Sequence, residues 1–207
     1  MSAIAPLTRA HIDVAAATIA RAFAADPLFE WVLPDPARRR ARMERLNRVP
    51  LEYGLRWGRV MQSHEGRGVA IWLPPESGIT LGGLIRCGML GAPFYLGPRA
   101  FGRFMAANQA METLHNKYVH EAHWYLMIVA VDPELHGRGI GTALLQEGFA
   151  EVDASRHVCY LETSCERNLG LYRRHGFKVL ETVPLGKNGP PGWAMWRPAA
   201  PRAVACR

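Results

Sequence analysis

Apolar residues change their period along this chain, and the changes mark out its elements. The longest apolar run, Trp124 to Val131, stops at Asp132-Pro133 and is followed by a glycine-spaced segment, after which apolar residues return at helical spacing to about Asp153. That order predicts a strand, a tight loop and a helix. Upstream, Ile4 to Leu7 suits a short strand, and Thr8 suits the N-cap of a helix running to about Phe23, with Ile12, Ile19 and Phe23 near one face and Asp26-Pro27 ending it. Asp35-Pro36 signals a second helix, in which Met43, Leu46, Pro50, Tyr53 and Trp57 follow alternating spacings of three and four. Pro50 is expected to kink or split it.

Arg59 to His64 and Arg67 to Leu73 read as strands of an antiparallel hairpin turning at Glu65-Gly66. Residues 76 to 98 are rich in Gly and Pro yet too apolar for a linker, which predicts a short helix and a packed loop covering a site. Phe101, Phe104, Met105, Met111, Leu114 and Tyr118 then recur at helical spacing, and this stripe is expected to pack in the core. Beyond the central unit come a strand from His157 to Thr163, a short helix from Asn168 to His175-Gly176, and a closing pair of strands, Phe177 to Val183 and Trp193 to Trp196.

Composition adds the class. With 207 residues, 49% of them apolar and 21% charged, the chain is long enough for one core and is expected to form a single domain over 1–197, with a flexible Ala- and Pro-rich tail over 198–207. The net charge of +7 is carried almost wholly by arginine, since the lysines are Lys117, Lys178 and Lys187 alone. Such a balance fits nucleic acid, a polyanionic cofactor or a coding bias. Six arginines lie between Arg38 and Arg48, but no aromatic–basic interleaving accompanies them, so no nucleic-acid partner is expected. Cys87, Cys159, Cys165 and Cys206 show neither Cys-x-x-Cys spacing nor paired histidines, so no metal is expected and a reducing, cytoplasmic setting fits best. No secretory leader or membrane-spanning run is read, and hence no membrane partner.

The glycine-spaced segment, His136-Gly137-Arg138-Gly139-Ile140-Gly141, carries the candidate chemistry. A glycine-rich turn between strand and helix lets several backbone N–H groups converge on one anion, with the positive end of the helix dipole behind them. Arg138 adds charge and Thr142 a hydroxyl. There is no lysine for a nucleotide-triphosphate P-loop, and glycines two apart do not fit a Gly-x-Gly-x-x-Gly fingerprint.

The segment resembles motif A of the GCN5-related N-acetyltransferase (GNAT) superfamily, Gln/Arg-x-x-Gly-x-Gly/Ala, with His136 standing where Gln or Arg is usual. Arg167-Asn168-Leu169-Gly170-Leu171-Tyr172-Arg173-Arg174-His175-Gly176-Phe177 resembles motif B of the same superfamily. With His123-Trp124-Tyr125-Leu126, Trp72-Leu73-Pro74-Pro75 and Trp193-Ala194-Met195-Trp196, the chain is similar to the puromycin N-acetyltransferase-like branch, although Gly170-Leu171 replace that branch's Pro-Phe.

The resemblance implies an α/β fold, with a central mixed, mostly antiparallel sheet of about seven strands, helices on both faces, and a splayed parallel strand pair holding the cofactor. It implies an N-acetyltransferase that moves the acetyl group of acetyl-CoA to a primary amine of a small molecule by direct attack. Val129, Ala130 and Val131 would bind the pantetheine and polarise the thioester carbonyl, and His136, Gly137, Arg138, Gly139, Ile140, Gly141 and Thr142 would hold the pyrophosphate. Asn168 would orient the pantetheine arm, Tyr172 would protonate the departing thiolate, and Glu162, at the end of its strand, is the candidate base. A monomer or homodimer is expected. A non-catalytic CoA-binding sensor and a protein or peptide N-acetyltransferase stay open as alternatives.

Overall fold

The computed structural model describes residues 3–200; the cysteine at 206 and most of the expected tail lie outside them. Seven strands form one sheet in the order β1-β2-β3-β4-β5-β7-β6. They are β1 (Ala5–Pro6), β2 (Arg59–Ser63), β3 (Gly68–Leu73), β4 (His123–Val131), β5 (Val158–Thr163), β6 (Lys178–Pro184) and β7 (Pro191–Arg197). Among the described residues only β4 and β5 pair in parallel; every other neighbouring pair is antiparallel. This is the predicted α/β fold.

The period-2 alternation of the central strands sends side chains to two different layers. Ala70 and Trp72 of β3, with Trp124 and Leu126 of β4, pack against Leu144, Leu145 and Phe149 of α7 (Ile140–Ser155). Their neighbours Val69 and Ile71 face the other way, against Ala15, Ala16 and Ile19 of α1 (Ile12–Ala22) and Leu51 of α3 (Pro36–Trp57). Gly148 is required by the first layer. A Cβ there would lie 2.2 Å from Cε2 of Trp72, a fully buried indole.

Helices α2 (Pro27–Val32), α4 (Leu81–Arg86), α5 (Ala92–Leu96), α6 (Pro98–Tyr118) and α8 (Leu169–Arg174) complete the order. Three expectations need correction. Asp26-Pro27 does more than end α1: the Asp26 carboxylate accepts from the Leu28 N–H at 2.9 Å and caps α2, which the sequence reading lacked. Pro50 does not split α3, which runs unbroken through it; lacking an N–H, it cannot serve the Leu46 carbonyl one turn earlier. Met105, counted in the core stripe of α6, is 46% exposed, while Leu114 of the same helix is buried against Tyr160 and Ala194. Among the described residues no helix is long and apolar enough to cross a membrane.

Candidate active site

The parallel ladder between β4 and β5 is short. His123, Trp124 and Tyr125 pair with Val158, Cys159 and Tyr160, and there the pairing stops. A β-bulge explains where β4 leaves its neighbour: Ile71 pairs with Ile128 but Trp72 with Leu126, so Met127 is the extra residue. A bulge bends its strand and adds local twist. β5 meanwhile stays paired to β7 through Thr163. The two strands therefore diverge, and a cavity of about 240 Å³ opens in the wedge, lined by Tyr125, Met127, Val129, Glu162, Ser164, Asn168 and Tyr172 among others.

Glu162 is the carboxylate at the mouth of the wedge. Tyr125 donates its hydroxyl to Oε2 at 2.8 Å, and burial pushes the Glu162 carboxyl up to about 7. Burial, reinforced by the charge of Glu162, holds the Tyr125 phenol well above its usual range, so Tyr125 stays a donor. Tyr172 is buried on α8, and burial followed by the nearby Asp26 charge raises its phenol too. It rests protonated. Asp26 accepts from the Ser164 hydroxyl at 2.6 Å, which ties the start of α2 to the end of β5; burial raises its carboxyl despite that bond. Asp26, Ser164 and Tyr125 were not singled out from sequence as site residues. The Asp-Pro pair, read as a cap at Asp35, held the missing signal for Asp26.

Of the predicted site residues, Val129, Glu162, Asn168 and Tyr172 line one cavity. Ala130 does not; its side chain is buried against the α1 side. Val131 packs beside the α7 layer, and the loop from His136 continues from its end of β4. Gly137 and Gly139 take left-handed φ values of 76° and 75°, and a Cβ on either would meet nothing within 4 Å. Their glycine character thus serves the turn, leaving open space beside it. Gly139 caps α7 without any side-chain bond, so the first N–H groups of the helix, from Ile140 to Thr142, have no intrahelical acceptor. His136 bonds through Nε2 to the Val131 carbonyl at 3.0 Å, which ties the loop to the strand.

The other wall of the cavity comes from elements far apart in sequence. Phe23, Leu28 and Phe29 enter from α1 and α2, Leu46, Asn47, Val49 and Pro50 from α3. Ile79, Leu84 and Met89 of the covering segment close one side, and Phe104, Asn108 and Met111 of α6 another. The aromatic and Met stripe of α6 thus partly lines the site, in addition to packing. Among the described residues no group of three or more His, Cys, Asp or Glu side chains is placed to hold a metal ion.

Comparison with known proteins agrees with this geometry. Residues 101–179 match the acetyltransferase (GNAT) domain. A Corynebacterium glutamicum structure described as "histone acetyltransferase HPA2 and related acetyltransferase" is 27% identical, with 98% of this chain and 100% of that one covered and a TM-score of 0.65. Arylalkylamine N-acetyltransferase 2 from Aedes aegypti shares the fold at 12% identity and TM-score 0.62, with 96% and 99% covered. The polyamine N-acetyltransferase of Drosophila melanogaster shares it at 15% and 0.59, with 96% and 100% covered. With its splayed parallel pair, its matched domain and its whole-length likeness to acetyltransferases, this chain is an N-acetyltransferase that carries the GNAT domain on the GNAT fold.

Proposed function

We propose that the protein transfers the acetyl group of acetyl-CoA to the primary amine of a small molecule by direct attack. The observation that carries this reading is the meeting of Glu162 and Tyr172, from β5 and α8, in one cavity at the point where β4 and β5 part. Acetyl-CoA supplies the activated thioester. The residues present suit it: the uncapped N–H groups of Ile140, Gly141 and Thr142, the open turn at Gly137 and Gly139, and Arg138 beside them form a receptor for a pyrophosphate. Val129, Ala130 and Val131 offer the strand segment beyond the bulge to the pantetheine, and Asn168 lies where that arm would pass. His136, bonded to Val131, acts by holding the loop in place.

Glu162 takes the proton that the amine must lose, and a carboxyl raised to about 7 is matched to that task near neutral pH. Tyr125 fixes the orientation of the carboxylate. The amine nitrogen forms the new bond to the acetyl carbon, the carbon–sulfur bond breaks, and Tyr172 donates its hydroxyl proton toward the sulfur as charge develops there. The resemblance of the sequence to puromycin N-acetyltransferase-like proteins supports a small-molecule acceptor. Ile79, Leu84 and Met89, which close over the cavity, favour such an acceptor over a polypeptide chain.

Calorimetry with acetyl-CoA, followed by free-thiol release with a panel of amines and with histone-tail peptides, tests the reading. Saturable cofactor binding and amine-dependent thiol release are expected; no binding at millimolar acetyl-CoA overturns it.

A further inference from the structure

The acetyl-transfer site leaves the arginines of α3 unused. Those of its first turns have acidic partners: Arg38 pairs with Asp35, Arg39 with Glu30 and Arg40 with Glu44. Further along, the balance changes. Arg45, Arg48 and Arg56 of α3 line a groove of about 430 Å³ together with Arg9, from the short helical turn before α1, and Arg86, the last residue of α4. Glu52 is the one carboxylate in the groove lining, and it is shared between Arg9 at 3.3 Å and Arg56 at 3.9 Å. Arg48 pairs with Asp13, which does not line the groove. Arg45 and Arg86 are exposed and have no acidic partner among the described residues.

Positive charge gathered from three separate elements onto a concave surface, with too few carboxylates to balance it, attracts anions. The planar fork of a guanidinium matches phosphate oxygens two at a time. Arg45 and Arg56 lie roughly 16 Å apart along α3, too far for one phosphate to serve the whole groove. Its volume is that of a small-molecule site. None of its lining residues belongs to the turn between β4 and α7, where the pyrophosphate of acetyl-CoA is proposed to sit.

The groove also shares its walls with the acceptor cavity. Val49 of α3 lines both. In the covering segment Leu84 and Met89 line the cavity, while Arg86 and Gly88 between them line the groove.

We propose that this groove is a second anion site, which takes a small molecule or lipid headgroup bearing two or more phosphates and uses them to bridge Arg86 of α4 to Arg45 and Arg48 of α3. The bridge holds the covering segment against α3 and so over the acceptor cavity. Binding here needs no acetyl transfer and goes beyond that reading.

Calorimetry with sodium tripolyphosphate at about 0.15 M salt, on protein saturated with CoA so that the cradle is filled, tests the site. One site per chain with a Kd in the micromolar range is expected, and sulfate at the same ionic strength should not displace the ligand. Arg45→Gln and Arg86→Gln each remove an exposed guanidinium without breaking an ion pair, and each should weaken binding by about tenfold. Arg138→Gln, in the cradle, should leave it unchanged. Hydrogen exchange at the amides of residues 83–91 should slow on binding, and the KM for the amine should fall several-fold with kcat nearly constant. Vesicles whose only anionic lipid is a phosphoinositide give a second arm. Sedimentation with them, blocked by tripolyphosphate, assigns the phosphates to a lipid headgroup; calorimetric binding without sedimentation assigns them to a free molecule, and either result sustains the site.

No saturable binding at millimolar tripolyphosphate, binding unchanged in both variants, or an RNA oligonucleotide bound in preference to tripolyphosphate would each overturn the proposal. Binding that leaves exchange at 83–91 unaltered would overturn the bridge. If CoA does not bind, the acetyl-transfer reading fails, yet tripolyphosphate binding weakened in Arg86→Gln still sustains the groove. Thiol release with no oligophosphate binding would do the reverse.

Discussion

Replacing Glu162 by Gln separates the function of this side chain from its cost to the fold. The carboxyl rises from an ordinary value of 4.5 to about 7 because burial disfavours its charge. A tenfold change in proton affinity is about 1.4 kcal/mol, so the shift amounts to about 3 kcal/mol between the two protonation states. Its sign follows from proton counting. Below pH 4.5 the folded and unfolded chains both hold this proton, and the stabilising contribution is complete. Between 4.5 and about 7 the unfolded chain gives the proton up while the folded chain keeps it, so stability falls as pH rises; above about 7 the loss is complete.

Glutamine is neutral at every pH and still offers an acceptor oxygen to Tyr125. At pH 8 the Glu162→Gln protein should therefore be more stable than wild type by up to about 3 kcal/mol, a rise in Tm of roughly 6–12 °C for a chain of this size. At pH 4 the two should melt together. Calorimetric melting across this range measures the difference between the curves, in which the other carboxylates cancel. Thiol release should meanwhile fall by about 100- to 10,000-fold, and the acid limb of wild-type kcat/KM, expected near pH 7, should vanish. Melting curves that stay parallel at all pH values, or a variant less stable at pH 8, would refute the assignment of a buried, proton-holding carboxyl.

Tyr172→Phe should lower kcat by roughly 100-fold with little change in acetyl-CoA affinity, since only the donor to sulfur is removed; stopped-flow thiol release and calorimetry together check this. Gly139→Ala keeps the space but not the backbone freedom, so it should cost about 1–2 kcal/mol of stability and raise the acetyl-CoA Kd, read by melting and calorimetry. Gly148→Ala improves helix propensity by about 1 kcal/mol but drives a methyl into Trp72, and overpacking should win by about 1–3 kcal/mol, seen as a lower urea midpoint. Asp132→Asn removes the carboxylate that receives Arg21 at 2.6 Å and Arg67 at 3.2 Å, and should cost about 2 kcal/mol by denaturant unfolding with thiol release nearly unchanged.

Much of this protein was legible in its sequence because the relevant signals are local. The continuous apolar run before Asp132, the glycines after it and the caps at Asp35 and Gly176 depend on residues within a turn or two of one another, and each predicted element appears near its predicted bounds. Even the misreadings were local: a proline inside α3 was weighed as a break, where packing on α1 and β3 keeps the helix whole.

By itself, then, the sequence determined the order of the strands and of the longer helices, the anion-suited turn at Gly137 to Gly141 and the candidates Glu162, Asn168 and Tyr172. Only the tertiary structure decided that a bulge at Met127 parts β4 from β5, that Tyr125 and Ser164 close on Glu162 and Asp26, and that α1, α2, α3 and α6 supply the far wall of the cavity. These are contacts between elements distant in the chain. No residue's periodicity records which partner from another element will meet it, nor how far burial there will shift its proton affinity.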